Sequence, residues 1–219
     1  MHNIYHFVSG PLAWLAFTVF AVGSLYRLLH VFVLVYQKER FILSFMSWKY
    51  SLRSIFHWII PFASVNMQKH PLMTIAAFTF HICLLVTPVF LLSHAVLWGE
   101  SWNIQLWSLP DPVSDIMTLA VIGCCVFFGV RRINLPQVRY LTSASDYAIL
   151  AMVALPFVTG FIAYHQWIDY PLFLVLHILS DEILLVAIPF TRLSHMLFSP
   201  FTRAYMGSEF GNVRHAKDW

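Results

Sequence analysis

Residues 71–98, PLMTIAAFTFHICLLVTPVFLLSHAVLW, run for 28 positions without an Asp, Glu, Lys or Arg. A helix crossing a hydrocarbon core of about 30 Å needs about 20 mostly apolar residues, and this stretch exceeds that. Working outward from it, four further apolar runs fall at about 7–36, 113–130, 147–167 and 170–198. The last carries Asp181, Glu182 and Arg192. Composition agrees with the runs. Of 219 residues, 59% are hydrophobic and 11% charged, against roughly 25% charged in a soluble domain. Mean hydropathy is +0.72. A soluble globular enzyme is excluded, and so is a disordered chain, which would be poor in apolar residues. The expected fold is all-α: a single membrane domain over 1–219, built as a polytopic bundle of five transmembrane helices. The first run is expected to be retained, since it is long and no Lys or Arg precedes it.

Lysine and arginine set the expected orientation. Arg27, Lys38, Arg40, Lys49, Arg53 and Lys69 end span one or lie between spans one and two. Arg131, Arg132 and Arg139 lie between spans three and four, and Arg192, Arg203, Arg214 and Lys217 end or follow span five. These are all 13. The opposite loops hold Glu100, Asp111 and Asp169. The N-terminus is therefore expected outside and the C-terminus in the cytoplasm, in a multi-pass protein of the cytoplasmic membrane. Residues 37–70 mix aromatics with spaced cations, as an amphipathic segment in the cytoplasmic interface would. The segment 199–219 is expected as a cytoplasmic tail. No basic stripe beyond the membrane flanks suggests nucleic acid. Cys83, Cys124 and Cys125 form no C-x-x-C, which leaves no zinc ribbon, iron–sulfur set or covalent haem motif.

Eleven histidines are many for such a chain. His81 and His94 lie in span two, His177 and His195 in span five. Ionisable residues inside a bilayer are costly and face a bundle interior or a cofactor, and imidazole is a good ligand for haem iron. On a continuous helix the 18 residues from His177 to His195 make five full turns, a rise of about 27 Å with both rings on one face. With antiparallel spans, His81 pairs with His195 on the cytoplasmic side and His94 with His177 on the outer side. Two bis-histidine b haems stacked across the membrane are expected. The 13 residues from His81 to His94 leave an angular offset of about 140° on an ideal helix, which a kink at Pro88 has to absorb. His70, 11 residues before His81, is the alternative partner in span two. The plainer alternative is that these histidines only hydrogen-bond helices together.

The motifs FHICLLVTPVFLLSH in span two and HILSDEILLVAIPFTRLSH in span five carry a resemblance. The chain resembles the cytochrome b membrane subunit of respiratory nitrate reductase, the gamma-subunit family. It is most similar to the versions in transmembrane redox complexes of sulfate-reducing bacteria and in membrane-bound heterodisulfide reductases. The resemblance covers nearly the whole chain. It implies four haem ligands at His81, His94, His177 and His195. It departs in span two, where the nitrate reductase subunit has its histidines closer together. The implied role is a di-haem electron-transfer subunit with no catalytic site of its own beyond a quinone site. The implied partners are a cytoplasmic iron–sulfur subunit and a periplasmic multihaem cytochrome c, with menaquinol as the alternative electron donor or acceptor. A quinone-linked cytochrome b of a hydrogenase or formate dehydrogenase and a non-redox membrane protein remain as rival readings.

Asp181 and Glu182 follow His177 by about one turn. They could relay a proton, or Asp181 could accept a hydrogen bond from a ligating histidine and fix its orientation. Arg27 and His30 are expected to snorkel or to pair with haem propionates. His2, His6 and His215 are expected in water, and His57 and His165 at the interface. Trp98, Trp102, Trp107 and Trp167 suit an outer aromatic belt.

Overall fold

The computed structural model describes residues 2–219, and every regular element among them is helical. In chain order these are α1 (His2–Phe7), α2 (Ala13–Lys38), α3 (Ile42–Phe45), α4 (Trp48–Ile59), α5 (Val65–Lys69) and α6 (Pro71–Phe90). There follow α7 (Leu92–Trp102), α8 (Asp111–Asn134), α9 (Pro136–Tyr140), α10 (Ala144–Tyr164), α11 (Tyr170–Ala187) and α12 (His195–Ser208). A π-helical turn, Val8–Leu12, joins α1 to α2 around Pro11. Five stretches are long and apolar enough to cross a membrane: Asn3–Lys38, Pro71–Phe90, Asp111–Asn134, Ala144–Tyr164 and Tyr170–Phe190. The protein is a multi-pass membrane protein in contact with lipid. The side chain of His2 lies outside the described residues, and so does the expectation that it is solvated.

Two spans are shorter as helices than their apolar runs. The second stops at Phe90, Leu91 turns extended (ψ 134°), and α7 begins anew. Pro88 accounts for the weakness, since it lacks an N–H for the preceding turn. The fifth stops at Ala187; Pro189 sits in a 3-10 turn, Ile188–Phe190, and Thr191 is extended. A second 3-10 turn, Arg192–Ser194, leads into α12. His177 and His195 thus occupy different helices, and the five-turn count between them does not apply. His81 and His94 are likewise separated by the break at Leu91, so the ideal-helix offset of 140° does not describe them either. The third span is longer than its apolar run because it is closed by favourable charge. Asp111 stands in its first turn and Arg131 and Arg132 in its last, each opposite in sign to that end of the helix dipole.

The chain forms two compact units, one of residues 1–9 and 75–181, the other of residues 10–74 and 182–219. In the first, α6, α8 and α10 share a core of Cys83, Val121, Cys125 and Phe157, with Phe80, Met117, Leu150 and Ala154 against it. Met117, Val121 and Cys125 recur every fourth residue, which lines them along one face of α8. Cys83 and Cys125 thus act as small packing residues, while Cys124 is half-buried outside this core. Arg132 reaches Asp146 at 3.9 Å. Asp146 also accepts the Ser143 backbone N–H at 2.8 Å, a reciprocal cap that fixes where α10 begins.

In the second unit, α4 and α12 lie in close contact through small residues. Ser51 Oγ and Ser208 Oγ are 2.9 Å apart, and Ser51 Oγ donates to the Ala204 carbonyl at 3.0 Å. A Cβ on Gly207 would stand 2.5 Å from the Tyr50 carbonyl oxygen. Small side chains and hydroxyl bonds are the usual means of joining helices in lipid, where apolar burial gives no drive. Gly23 of α2 serves the same end: its absent Cβ leaves room for Phe190 and Pro189. The lipid-suited face of α2 carries Val22, Leu25, Leu29 and Phe32, all more than half exposed. Tyr205 donates to Glu209, and that bond pushes the loss of its phenolic proton up.

Candidate cofactor site

The first unit brings His94 and His177 together from α7 and α11. Their ring centroids are 5.8 Å apart and their planes 20° from parallel, an offset-stacked arrangement. Each ring is oriented by a carbonyl outside its own turn. His94 Nδ1 donates to the Pro88 carbonyl at 2.8 Å, and His177 Nδ1 donates to the Pro156 carbonyl of α10 at 2.9 Å. A proton on Nδ1 puts the lone pair of both rings on Nε2. The break at Leu91 makes the first bond possible. Because α7 starts afresh, His94 reaches back six residues rather than the usual four.

Gly160 makes the second possible. A Cβ there would lie 2.9 Å from His177 Cε1 and 3.0 Å from Nδ1, closer than real carbon contacts allow. One turn earlier on α10 stands Pro156, so a P-x-x-x-G pattern supplies both the acceptor and the space. Thr159 Oγ1 and Ser180 Oγ, 3.4 Å apart, join α10 to α11 beside it. Asp181 completes the group, with Oδ2 3.3 Å from His177 Nε2. That placement corrects one sequence expectation: the Pro156 carbonyl, not Asp181, takes the orienting hydrogen bond. Asp181 instead faces the lone-pair nitrogen. Two lone-pair atoms at this distance repel unless a proton or a metal stands between them.

The two Nε2 lone pairs are the atoms that would hold a metal ion or a haem iron, for which imidazole is a good ligand. Ligating histidines also donate their second ring N–H to a carbonyl or carboxylate, as both rings do here. A group held by both Nε2 atoms would require the Asp181 side chain to turn away.

His81 and His195 are placed otherwise. His81 lies in the first unit, exposed, with Nδ1 bonded to the Ala77 carbonyl one turn back at 2.7 Å. His195 lies in the second unit, exposed at the start of α12, with Nδ1 bonded to the Arg192 carbonyl at 2.9 Å. Both carry the same tautomer as His94 and His177. His70 sits between α5 and α6, immediately before Pro71. Glu182 is buried and belongs to the second unit.

Other residues found partners that the sequence did not disclose. His165 Nε2 is 3.1 Å from Asp115 Oδ1, with the Trp167 ring 5.5 Å away. His57 stacks on Trp219 at 3.9 Å. Arg27 lies over the Phe198 ring at 5.9 Å, and His30 beside Tyr26. Trp98 and Trp102 are 4.6 Å apart, and Trp107 and Trp167 are mostly exposed.

Fold and site together define an all-helical multi-pass membrane protein with a pair of oriented histidines inside one helical unit. Over 216 residues the chain is 35% identical to a protein of Nitratidesulfovibrio vulgaris strain Hildenborough, with 96% of this chain and 95% of that one covered. The chain belongs to the same family as that protein, whose name states no activity. No family model matches the sequence, and no solved structure matches the fold.

Proposed function

We propose that this chain is the di-haem b membrane subunit of a respiratory oxidoreductase complex. In this reading it carries electrons across the cytoplasmic membrane between a periplasmic cytochrome c or menaquinol and a cytoplasmic iron–sulfur subunit. The observation that carries it is the His94–His177 pair: near-parallel rings from two helices, 5.8 Å apart, each tied through Nδ1 to a carbonyl. His94 and His177 would hold one haem; the resemblance assigns the other to His81 and His195. Bound haem supplies one-electron redox chemistry, and the protein supplies ligands, orientation and a low dielectric around them. The lysine and arginine distribution supports an outside N-terminus and a cytoplasmic C-terminus. Family membership with a protein of a sulfate reducer is compatible with anaerobic respiration.

The test is a dithionite-reduced minus oxidised spectrum of the purified chain or its complex, with haem b quantified per copy. The expected result is two haems per chain, with one lost in His94→Ala and in His177→Ala. A second reading has its own observation: the same Nδ1 bonds would serve histidines that merely fasten helices, since His177 joins α11 to α10. Colourless protein whose stability falls in His177→Ala would establish that reading and overturn the first.

A further inference from the structure

The second unit holds a polar cluster of its own, where the segment 214–219 folds back on α4 and α12. The Asp218 side chain is 1% exposed, and its Oδ2 accepts from Arg203 Nη2 at 2.9 Å and from Ser54 Oγ. Arg53 Nη2 donates to the Ala216 carbonyl at 3.4 Å. The Arg53 guanidinium lies 4.6 Å from the Trp219 ring, and that ring stacks on His57 at 3.9 Å and 11°. The cluster is not satisfied by what fills it. Arg53 Nε, Arg203 Nε, His57 Nδ1 and Asp218 Oδ1 are all buried without a hydrogen-bond partner. Buried polar groups are normally paired, and each orphan is costly. Arg203 alone pairs with the carboxylate, Arg53 reaches only the nearby Ala216 carbonyl, and part of both arginine forks is left unanswered. A phosphate offers more acceptor oxygens, more charge and a tetrahedral spread that guanidinium groups match well.

We propose that Arg53, Ser54, His57 and Arg203 form a pocket for the phosphate of an acidic lipid headgroup, and that Asp218 fills it in this structure as an internal plug. The helix that carries three of these residues is built to lie at a lipid surface. Trp48 (84% exposed), Leu52, Phe56 and Ile59 form one exposed apolar stripe along α4, while Ser51 and Ser54 on its other face are buried. An interfacial helix of this kind lies at headgroup depth, where lipid phosphates are found. A pocket for soluble phosphate would have no use for the stripe. The inference is independent of the haem reading, since neither residue set contains a member of the other.

The test places the full chain in nanodiscs of phosphatidylcholine, with and without phosphatidylglycerol, and follows amide hydrogen exchange of residues 214–219. Phosphatidylglycerol should displace the plug and speed exchange of that segment by about tenfold or more, the equivalent of about 1.4 kcal/mol. Arg203→Gln should abolish the response to lipid, and Asp218→Asn should exchange fast in both lipids. Unchanged exchange of the unmodified chain on adding phosphatidylglycerol overturns the pocket. Equal release by inorganic phosphate in phosphatidylcholine overturns its assignment to lipid. Because Asp218→Asn leaves both arginines in place, more phosphatidylglycerol retained on that variant than on the unmodified chain, read by native mass spectrometry, supports the pocket even if Arg203→Gln does not fold, and no gain overturns it.

Discussion

His94 and His177 are positioned by tertiary structure, whereas His81 and His195 are positioned by their own backbone. The first two bond carbonyls six and 21 residues away. The other two bond carbonyls four and three residues back. A local bond of that kind forms in any helix that carries the residue; a bond across 21 residues exists only when α10 and α11 have packed. The difference teaches that one tautomer can be reached by a general route and by a specific one. Only the specific route fixes where the ring stands relative to a second ring.

The largest effect should come from cutting the specific pair. His177→Ala should remove one of two b haems and, with it, half of the reduced-minus-oxidised absorbance; His94→Ala should do the same. A variant of either that retains both haems breaks the comparison, because the tertiary pair would then be incidental. Gly160→Val comes next. Its Cβ would enter the 2.9 Å gap to His177 Cε1, and overpacking of this kind costs about 1–3 kcal/mol. The haem held by His94 and His177 should be lost or weakened while the other remains. Thermal unfolding and haem stoichiometry measured on the same sample separate misplacement of the ring from collapse of the fold.

Pro88→Ala should act less strongly. It restores an N–H for the turn around Leu84 and lets α6 continue toward α7, which draws the Pro88 carbonyl into a helical bond and away from His94. Amide exchange at Leu92 should slow, and the haem of this pair should bind more weakly. Unchanged exchange there would mean that the break at Leu91 does not depend on the proline.

Much of this architecture was legible in the sequence. The runs at 71–98 and 113–130 announce spans because nothing but a membrane tolerates so few charges over such length. His94 and His177 could be paired from antiparallel spans alone. A kink at Pro88 was legible, but the full break at Leu91 and the one at Thr191 were not, because apolar runs continue through both and hydropathy does not see backbone direction. Pro88 and Pro189 were the available signals, and each marks a break two or three residues after itself. Gly160 was harder still. In a sequence it is one small residue in an apolar span, and its purpose exists only once the His177 ring has been brought against it. Asp218 and Trp219 read as part of an ordinary tail, since nothing local tells that Ser54 and His57, more than 160 residues earlier, are among their partners.

The smallest expected effect sharpens the comparison from its local side. Thr191 Oγ1 accepts the Leu193 backbone N–H at 3.2 Å, capping the short turn that presents the Arg192 carbonyl to His195. Removing such a cap costs about 0.5–2 kcal/mol; this bond is long and the turn short, so the lower end applies. Thr191→Ala should therefore lower the unfolding temperature slightly and leave haem content unchanged, because the His195 bond to Arg192 spans only three residues and re-forms with the helix. Paired with Gly160→Val, the two variants ask one question of two sites: whether a ring held locally tolerates what a ring held across helices does not. A loss of haem in Thr191→Ala as large as that in Gly160→Val would show that His195, too, depends on contacts beyond its own turn.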